Sequence, residues 1–260
     1  MITLVKIGGS LITDKNAQAS FRADVMARLA RELRQARTAQ PHQAVIVGHG
    51  SGSFGHFEAK QYNTVDGVTS PEEWLGFAKV AFVASELNRL VLQALHAEAL
   101  PALRFAPSAS VLAQNKRITT FAIAPIQHAL THGLLPVVYG DAVLDIALGG
   151  TIASTETVFT HLVTALPVSK IFLLGEVDGV YDSHGLVIPH ITPTNVSLYA
   201  SALKGSEGVD VTGGMLTKVS DMLALAQSKP NLTIRILNGL TPNALLNALE
   251  GQAIGTLITA

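Results

Sequence analysis

The chain has 260 residues, enough for one large domain or two lobes sharing a core. Hydrophobic residues make up 48% and charged residues 14%, and the formal net charge is −1. A sizeable core can therefore be buried, and no global basic field exists to hold nucleic acid. The absence of cysteine excludes a disulfide framework, a thiolate metal site and a cysteine nucleophile.

Residues 2–7 are rich in strand formers and end at Gly8-Gly9, so they predict a first strand and not a signal peptide. Residues 21–37 predict a helix, with Val25, Leu29 and Leu33 spaced by four. Ala44 to Val47 is a short apolar run closed by glycines, as in a buried parallel strand. Residues 72–98 predict one long helix, with Phe77, Val80, Ala84, Leu87, Val91 and Leu95 along one stripe. Strands are expected at 102–106, 135–139 and 170–174, and a helix from Thr155 to Leu166. Met215, Val219, Met222, Leu223 and Ala226 predict another helix. A strand at 232–237, a helix at 242–249 and a strand at 256–259 follow. Two hairpins are expected, over 143–152 and 179–191. The alternation predicts an α/β fold, a three-layer sandwich with a mostly parallel sheet covered by helices on both faces. No apolar run reaches the roughly 18 residues of a membrane helix. A cytoplasmic protein with neither membrane nor nucleic-acid partner is expected.

Three glycine turns carry the chemistry. Lys6 continues the strand face of Ile2 and Leu4 and is followed at once by Gly8-Gly9-Ser10. That places a cation at the carboxyl end of a buried strand, where open α/β sheets bind ligands. Gly48-His49-Gly50-Ser51-Gly52-Ser53-Phe54-Gly55-His56 follows the second strand. It predicts a nest of amides for phosphate oxygens, with two histidines able to add charge or a proton. It lacks the Gly-Lys-Ser/Thr ending of a P-loop. Asp210-Val211-Thr212-Gly213-Gly214 opens the helix that bears Lys218, a cation set against the helix dipole and so suited to a bound anion.

Together these turns resemble the amino acid kinase superfamily, and within it the isopentenyl phosphate kinases. The resemblance also covers Thr13-Asp14-Lys15, Tyr139-Gly140-Asp141 and Val177-Asp178-Gly179-Val180-Tyr181, and so runs over nearly the whole chain. It implies one kinase domain over 1–260, with an acceptor-binding lobe (1–166) and a nucleotide-binding lobe (167–260). Lys6, Gly8, Gly9 and Ser10 would hold ATP phosphates, and Lys15 would stabilise the phosphoryl group in flight. Gly50, Ser51 and Gly52 would offer amides between donor and acceptor. His56, after Gly55, would bind the phosphate of the acceptor, isopentenyl phosphate, the alternative acceptors within the superfamily being another small phosphate or phosphonate such as fosfomycin, or a carboxylate. Asp178, Gly179 and Tyr181 would line the base and ribose. Gly213, Gly214 and Lys218 would close on the β- and γ-phosphates. Mg²⁺ would arrive on the ATP phosphates, with no metal ligand assigned in the chain, and a homodimer is implied.

The chain departs from the family pattern twice. Ser51 stands where a glycine is usual, so the turn must accept a Cβ there. Glu156 stands where an aspartate usually orients the phosphate-binding lysines. An apolar pocket for the five-carbon tail is expected from Phe77, Val80, Phe82 and Val83, with Ile146 facing them.

Overall fold

The computed structural model describes residues 1–14, 17, 19–200, 202 and 214–260. Strand β1 (Ile2–Ile7) runs into a single helical turn, α1 (Gly9–Ile12). Helix α2 (Ala23–Ala39) returns the chain to β2 (Ala44–His49). Helix α3 (Gly52–Gln61) leads to the long α4 (Pro71–Ala97). Then come β3 (Ala102–Arg104), the short α5 (Pro107–Ser110), and a hairpin of β4 (Val111–Gln114) and β5 (Arg117–Phe121). Helix α6 (Ile123–Thr131) precedes β6 (Leu135–Tyr139). Strands β7 (Asp141–Asp145) and β8 (Gly149–Ala153) form the second hairpin, and α7 (Thr155–Ala165) leads into β9 (Val168–Gly175). The last elements are β10 (His190–Ile191), α8 (Gly214–Ser228), β11 (Thr233–Asn238), α9 (Ala244–Leu249) and β12 (Thr256–Ile258).

One eight-stranded sheet carries the fold, in the order β10-β12-β11-β9-β1-β2-β6-β3. Every neighbouring pair is parallel except β11 and β12. A smaller sheet, β5-β4-β7-β8, sits beside it. Strand alternation on β1 sorts the two cores. Ile2 and Leu4 join one apolar cluster with Val158 and Phe159 of α7 and Val219 and Met222 of α8. Val5 and Ile7 join the other, with Leu29 and Leu33 of α2 and Leu87 and Val91 of α4. Lys6 shares the first face, so its side chain is directed to where α7 and α8 begin.

The ends of helices are fixed by local chemistry. Ser70 accepts from the Glu73 N–H, and Glu73 reaches back to the Ser70 N–H, with Pro71 at the first helical position of α4. Helix α9 begins on a buried acid. Glu32 of α2 accepts from the amides of Asn243, Leu245 and Leu246 and is paired with Arg28 at 2.6 Å. Arg28 also donates to the carbonyls of Gly239 and Thr241, so the pair anchors the loop after β11. Replacing Glu32 by alanine strands Arg28 and three amides at once. The expected loss is about 3 kcal/mol of folding stability, measured by urea denaturation.

Three expectations need correction. The segment 48–56 is not one open nest: Gly48 and His49 still belong to β2, and a helix starts at Gly52. The segment 179–191 is not a full hairpin. Tyr181 and Val187 make one bridge, and His190–Ile191 leaves to pair in parallel with β12. Third, Phe82 and Ile146 point outward, each 64% exposed. The inner stripe of α4 passes through Val80 and Ala84, which directs Phe82 away from the core.

Candidate active site

The carboxyl ends of β1, β2 and β9 lie side by side. Lys6 is in register with Gly48 and Leu173, and Ile7 with His49 and Leu174. A cleft of about 310 Å³ opens above them. It is lined by Lys6, Gly8, Gly9 and Ser10 from the first turn and by Gly50, Ser51 and Gly52 from the second. Glu156 from α7 and Met215, Lys218 and Asp221 from α8 also line it.

The two turns touch backbone to backbone. A Cβ on Gly9 would come within 2.5 Å of the Gly52 nitrogen, and one on Gly50 within 2.9 Å of the Gly9 nitrogen. Gly52 has φ +49, a left-handed conformation that a glycine adopts without strain. Ser51, by contrast, has an ordinary φ of −76, and its side chain occupies the space above Gly55, where a Cβ would sit 2.6 Å from it. The serine therefore fits because residue 55 has no side chain.

One hydroxyl ties the turns together. Thr13 Oγ1 donates to the Gly9 carbonyl at 2.8 Å and accepts from the Ser53 N–H at 3.0 Å. Thr13 is fully buried. Thr13→Val removes both bonds at nearly constant volume. We expect kcat to fall about tenfold through misplaced amides, with Thr13→Ser restoring most of it in the same steady-state assay.

Lys6 Nζ donates to Glu156 Oε1 at 2.5 Å. Glu156 stands in the first turn of α7, whose N-cap Ser154 accepts from the Thr157 N–H. The start of α7 is in turn tied to β2, since Thr155 Oγ1 donates to the His49 carbonyl at 2.6 Å. Burial opposes the charge on Glu156, but the Lys6 ammonium against it, helped by Lys218, holds its carboxyl below the usual range. Asp221 follows Lys218 by one turn of α8. Partial burial and the Glu156 charge push its carboxyl up.

His49 is not the charged or proton-moving group expected from the sequence. It is fully buried and stacks on Tyr139, with ring centroids 5.4 Å apart. Burial lowers its pKa to about 4, with the Gly50 hydrogen bond opposing, so the ring is neutral at physiological pH. Its contribution to folding stability is full above pH 6.5 and is lost as pH falls from there toward about 4.

The sequence model of the amino acid kinase family matches residues 1–238. The isopentenyl phosphate kinase of Methanothermobacter thermautotrophicus is 34% identical, with 98% of each chain covered. The chain belongs to the isopentenyl phosphate kinases of the amino acid kinase family. The enzyme of that name from Methanocaldococcus jannaschii is 32% identical, over 99% of this chain and 98% of its own. A solved structure described as isopentenyl phosphate kinase superposes with a TM-score of 0.83 at 30% identity, covering 100% of both chains.

This kinase family frame shows which expected residues the fold brings together. Lys6, Gly8, Gly9, Ser10, Gly50, Ser51, Gly52, Glu156 and Lys218 all line the cleft. Gly214, with φ +67, is the first residue of α8 and stands next to cleft-lining Met215. Gly55 is buried beneath Ser51 and does not reach the cleft. Asp178, Gly179 and Tyr181 are not among the residues that line it, although their neighbour Val177 is. Asp178 accepts from the Tyr181 hydroxyl at 3.1 Å and from Asn238 at 2.9 Å, and Gly179 packs against Thr256. Lys15 and Gly213 lie outside the described residues, as does the side chain of His56. Sequence reasoning missed the Thr13 bridge and Asp221. The spacing of Lys218 and Asp221 on one helix face was the available signal for the second.

Proposed function

We propose that the chain transfers the γ-phosphoryl group of ATP to isopentenyl phosphate, giving isopentenyl diphosphate and ADP. An oxygen of the acceptor's phosphate attacks the γ-phosphorus, and the bond to the β,γ-bridging oxygen breaks. A phosphate monoester is its own nucleophile, so positioning and charge neutralisation suffice. Lys6 and the amides of the first turn hold the donor phosphates, and Lys218 closes on them from α8. The second turn lies between donor and acceptor, and fixed amides there stabilise the transferring group at little reorganisation cost. Magnesium enters on ATP as part of that substrate. In this reading Lys15 neutralises the group in flight, His56 grips the acceptor phosphate, Asp178, Gly179 and Tyr181 flank the nucleoside, and Gly213 and Gly214 close on the phosphates. The two lobes, 1–166 and 167–260, then serve acceptor and nucleotide. A cytoplasmic homodimer feeding isoprenoid synthesis is part of the same reading, supported by the family resemblance.

The observation that favours an apolar acceptor is Ile152. It lines the cleft and also packs on the cluster of Ala59, Val80, Ala142 and Phe77 between α3, α4 and β7. A five-carbon tail reaching from the second turn meets that wall. An acceptor panel with ATP and Mg²⁺ tests the reading. We expect isopentenyl phosphate to give the highest kcat/KM, above dimethylallyl phosphate and far above fosfomycin or glutamate. Preference for fosfomycin or a carboxylate would overturn it.

A further inference from the structure

His49 ends β2 on the face of Val45 and Val47, toward α4. Its ring has two polar neighbours. Nδ1 lies 3.0 Å from the Gly50 carbonyl, and Nε2 lies 3.0 Å from Asn88 Nδ2 of α4. A carbonyl only accepts, so Nδ1 carries the proton. A neutral ring then presents a lone pair at Nε2, which needs a donor, and the Asn88 amide supplies one. The chain of bonds therefore runs one way, from Asn88 to His49 to Gly50.

Its cost is visible. Asn88 is fully buried, and its Oδ1 has no partner among the described residues. An unpaired buried carbonyl is unfavourable, and a leucine would pack at this place in the stripe of Leu87, Val91 and Leu95 without it. What the asparagine adds is the N–H toward His49.

The far end of the chain is in the cleft. The Gly50 carbonyl and the Ser51 N–H belong to one planar trans peptide and point in opposite directions. Holding the carbonyl against His49 therefore directs the Ser51 N–H away from the core. Gly50, Ser51 and Gly52 line the cleft, and the Ser51 amide has no partner among the described residues.

We propose that Asn88 and His49 are positioning residues: by fixing the tautomer of His49 they lock the 50–51 peptide and aim the Ser51 amide at the transferring phosphoryl group. The second half of this proposal rests on the phosphoryl-transfer reading above, and the first half does not. The ring stacked between β2 and β6 thereby links the long helix beside the acceptor wall to the glycine turn.

The test has two arms. Long-range ¹H–¹⁵N spectra of the ¹⁵N-labelled protein, with His49 assigned by its absence in His49→Asn, report the tautomer without any substrate. We expect the Nδ1–H form in the wild type and a mixture with the Nε2–H form in Asn88→Leu, where the Gly50 carbonyl alone still favours the first. The Nε2–H form in the wild type would overturn the proposal whatever the enzyme phosphorylates. Kinetics form the second arm. Asn88→Leu and His49→Phe are expected to lower kcat about tenfold or more, since removal of one fixed donor to a developing charge has this effect or a larger one. The KM for ATP and the melting temperature of Asn88→Leu should change little. His49→Asn, which keeps an N–H where Nδ1 stands, should recover most of the loss. Wild-type kcat in both Asn88→Leu and His49→Phe, or loss in Asn88→Leu that tracks its melting temperature, would contradict positioning. A wild type inactive on every acceptor, yet with the Nδ1–H tautomer, would overturn the phosphoryl-transfer reading and the aiming role, and leave only the locked peptide.

Discussion

Replacing Lys6 by alanine should lower kcat by about 10³-fold, the effect of deleting one fixed charge donor from a phosphoryl-transfer site. Lys6 is the cation on β1 that the sheet register places between both glycine turns and α7. Among the described residues that line the cleft, the other cation is Lys218. Lys218 approaches from a different element, on α8, and shares the same carboxylate. The variant also leaves Glu156 facing the phosphates without its 2.5 Å partner, so donor binding weakens as well. Steady-state kinetics should show a fall in kcat together with a higher KM for ATP. Lys6→Arg should rescue poorly, because a planar guanidinium does not place a point charge where the ammonium stood.

The second large effect is expected at Glu156. In Glu156→Gln the side chain keeps its size but loses the charge that gathers Lys6 and Lys218. The cleft becomes more positive by one unit. Ground-state binding of the anionic nucleotide should hold or tighten, while kcat falls about 10²-fold because the lysines are no longer fixed where charge develops. A lower kcat with an unchanged or lower KM for ATP is the signature. The same variant has a pH consequence. The folded carboxyl sits below its usual 4.5, so its charge stabilises the fold above that pH and the stabilisation is lost as pH falls through the lowered value. Acid denaturation profiles should therefore show a shallower loss below pH 4.5 for the glutamine variant than for the wild type.

Much of this architecture is legible in the sequence because its signals are local. The buried parallel strands are short β-branched runs closed by glycines, and α4 announces itself through the apolar stripe from Phe77 to Leu95. Helix α3 is hidden because Gly52, Ser53 and Gly55 give it weak helical preference and no clear apolar face; it forms because its first turn packs on Gly9 and Thr13. The β4–β5 hairpin is hidden for another reason. Its turn uses Asn115 and Lys116, both at positive φ, where glycine is the usual signal. Asp145, 29 and 30 residues away, accepts both turn amides and holds them there. In the site, Lys6, the glycine turns and Lys218 are readable as residue types in sequence. The neutrality of His49 and the bridging role of Thr13 depend on burial and on contacts 40 residues apart, which no local pattern carries.

The central claim is the transfer itself, and ³¹P NMR of purified protein with ATP, Mg²⁺ and isopentenyl phosphate tests it directly. The account predicts that the monophosphate singlet is replaced by two mutually coupled doublets as ADP appears in equal amount. A singlet that persists, with ATP either untouched or broken down to inorganic phosphate, would contradict it.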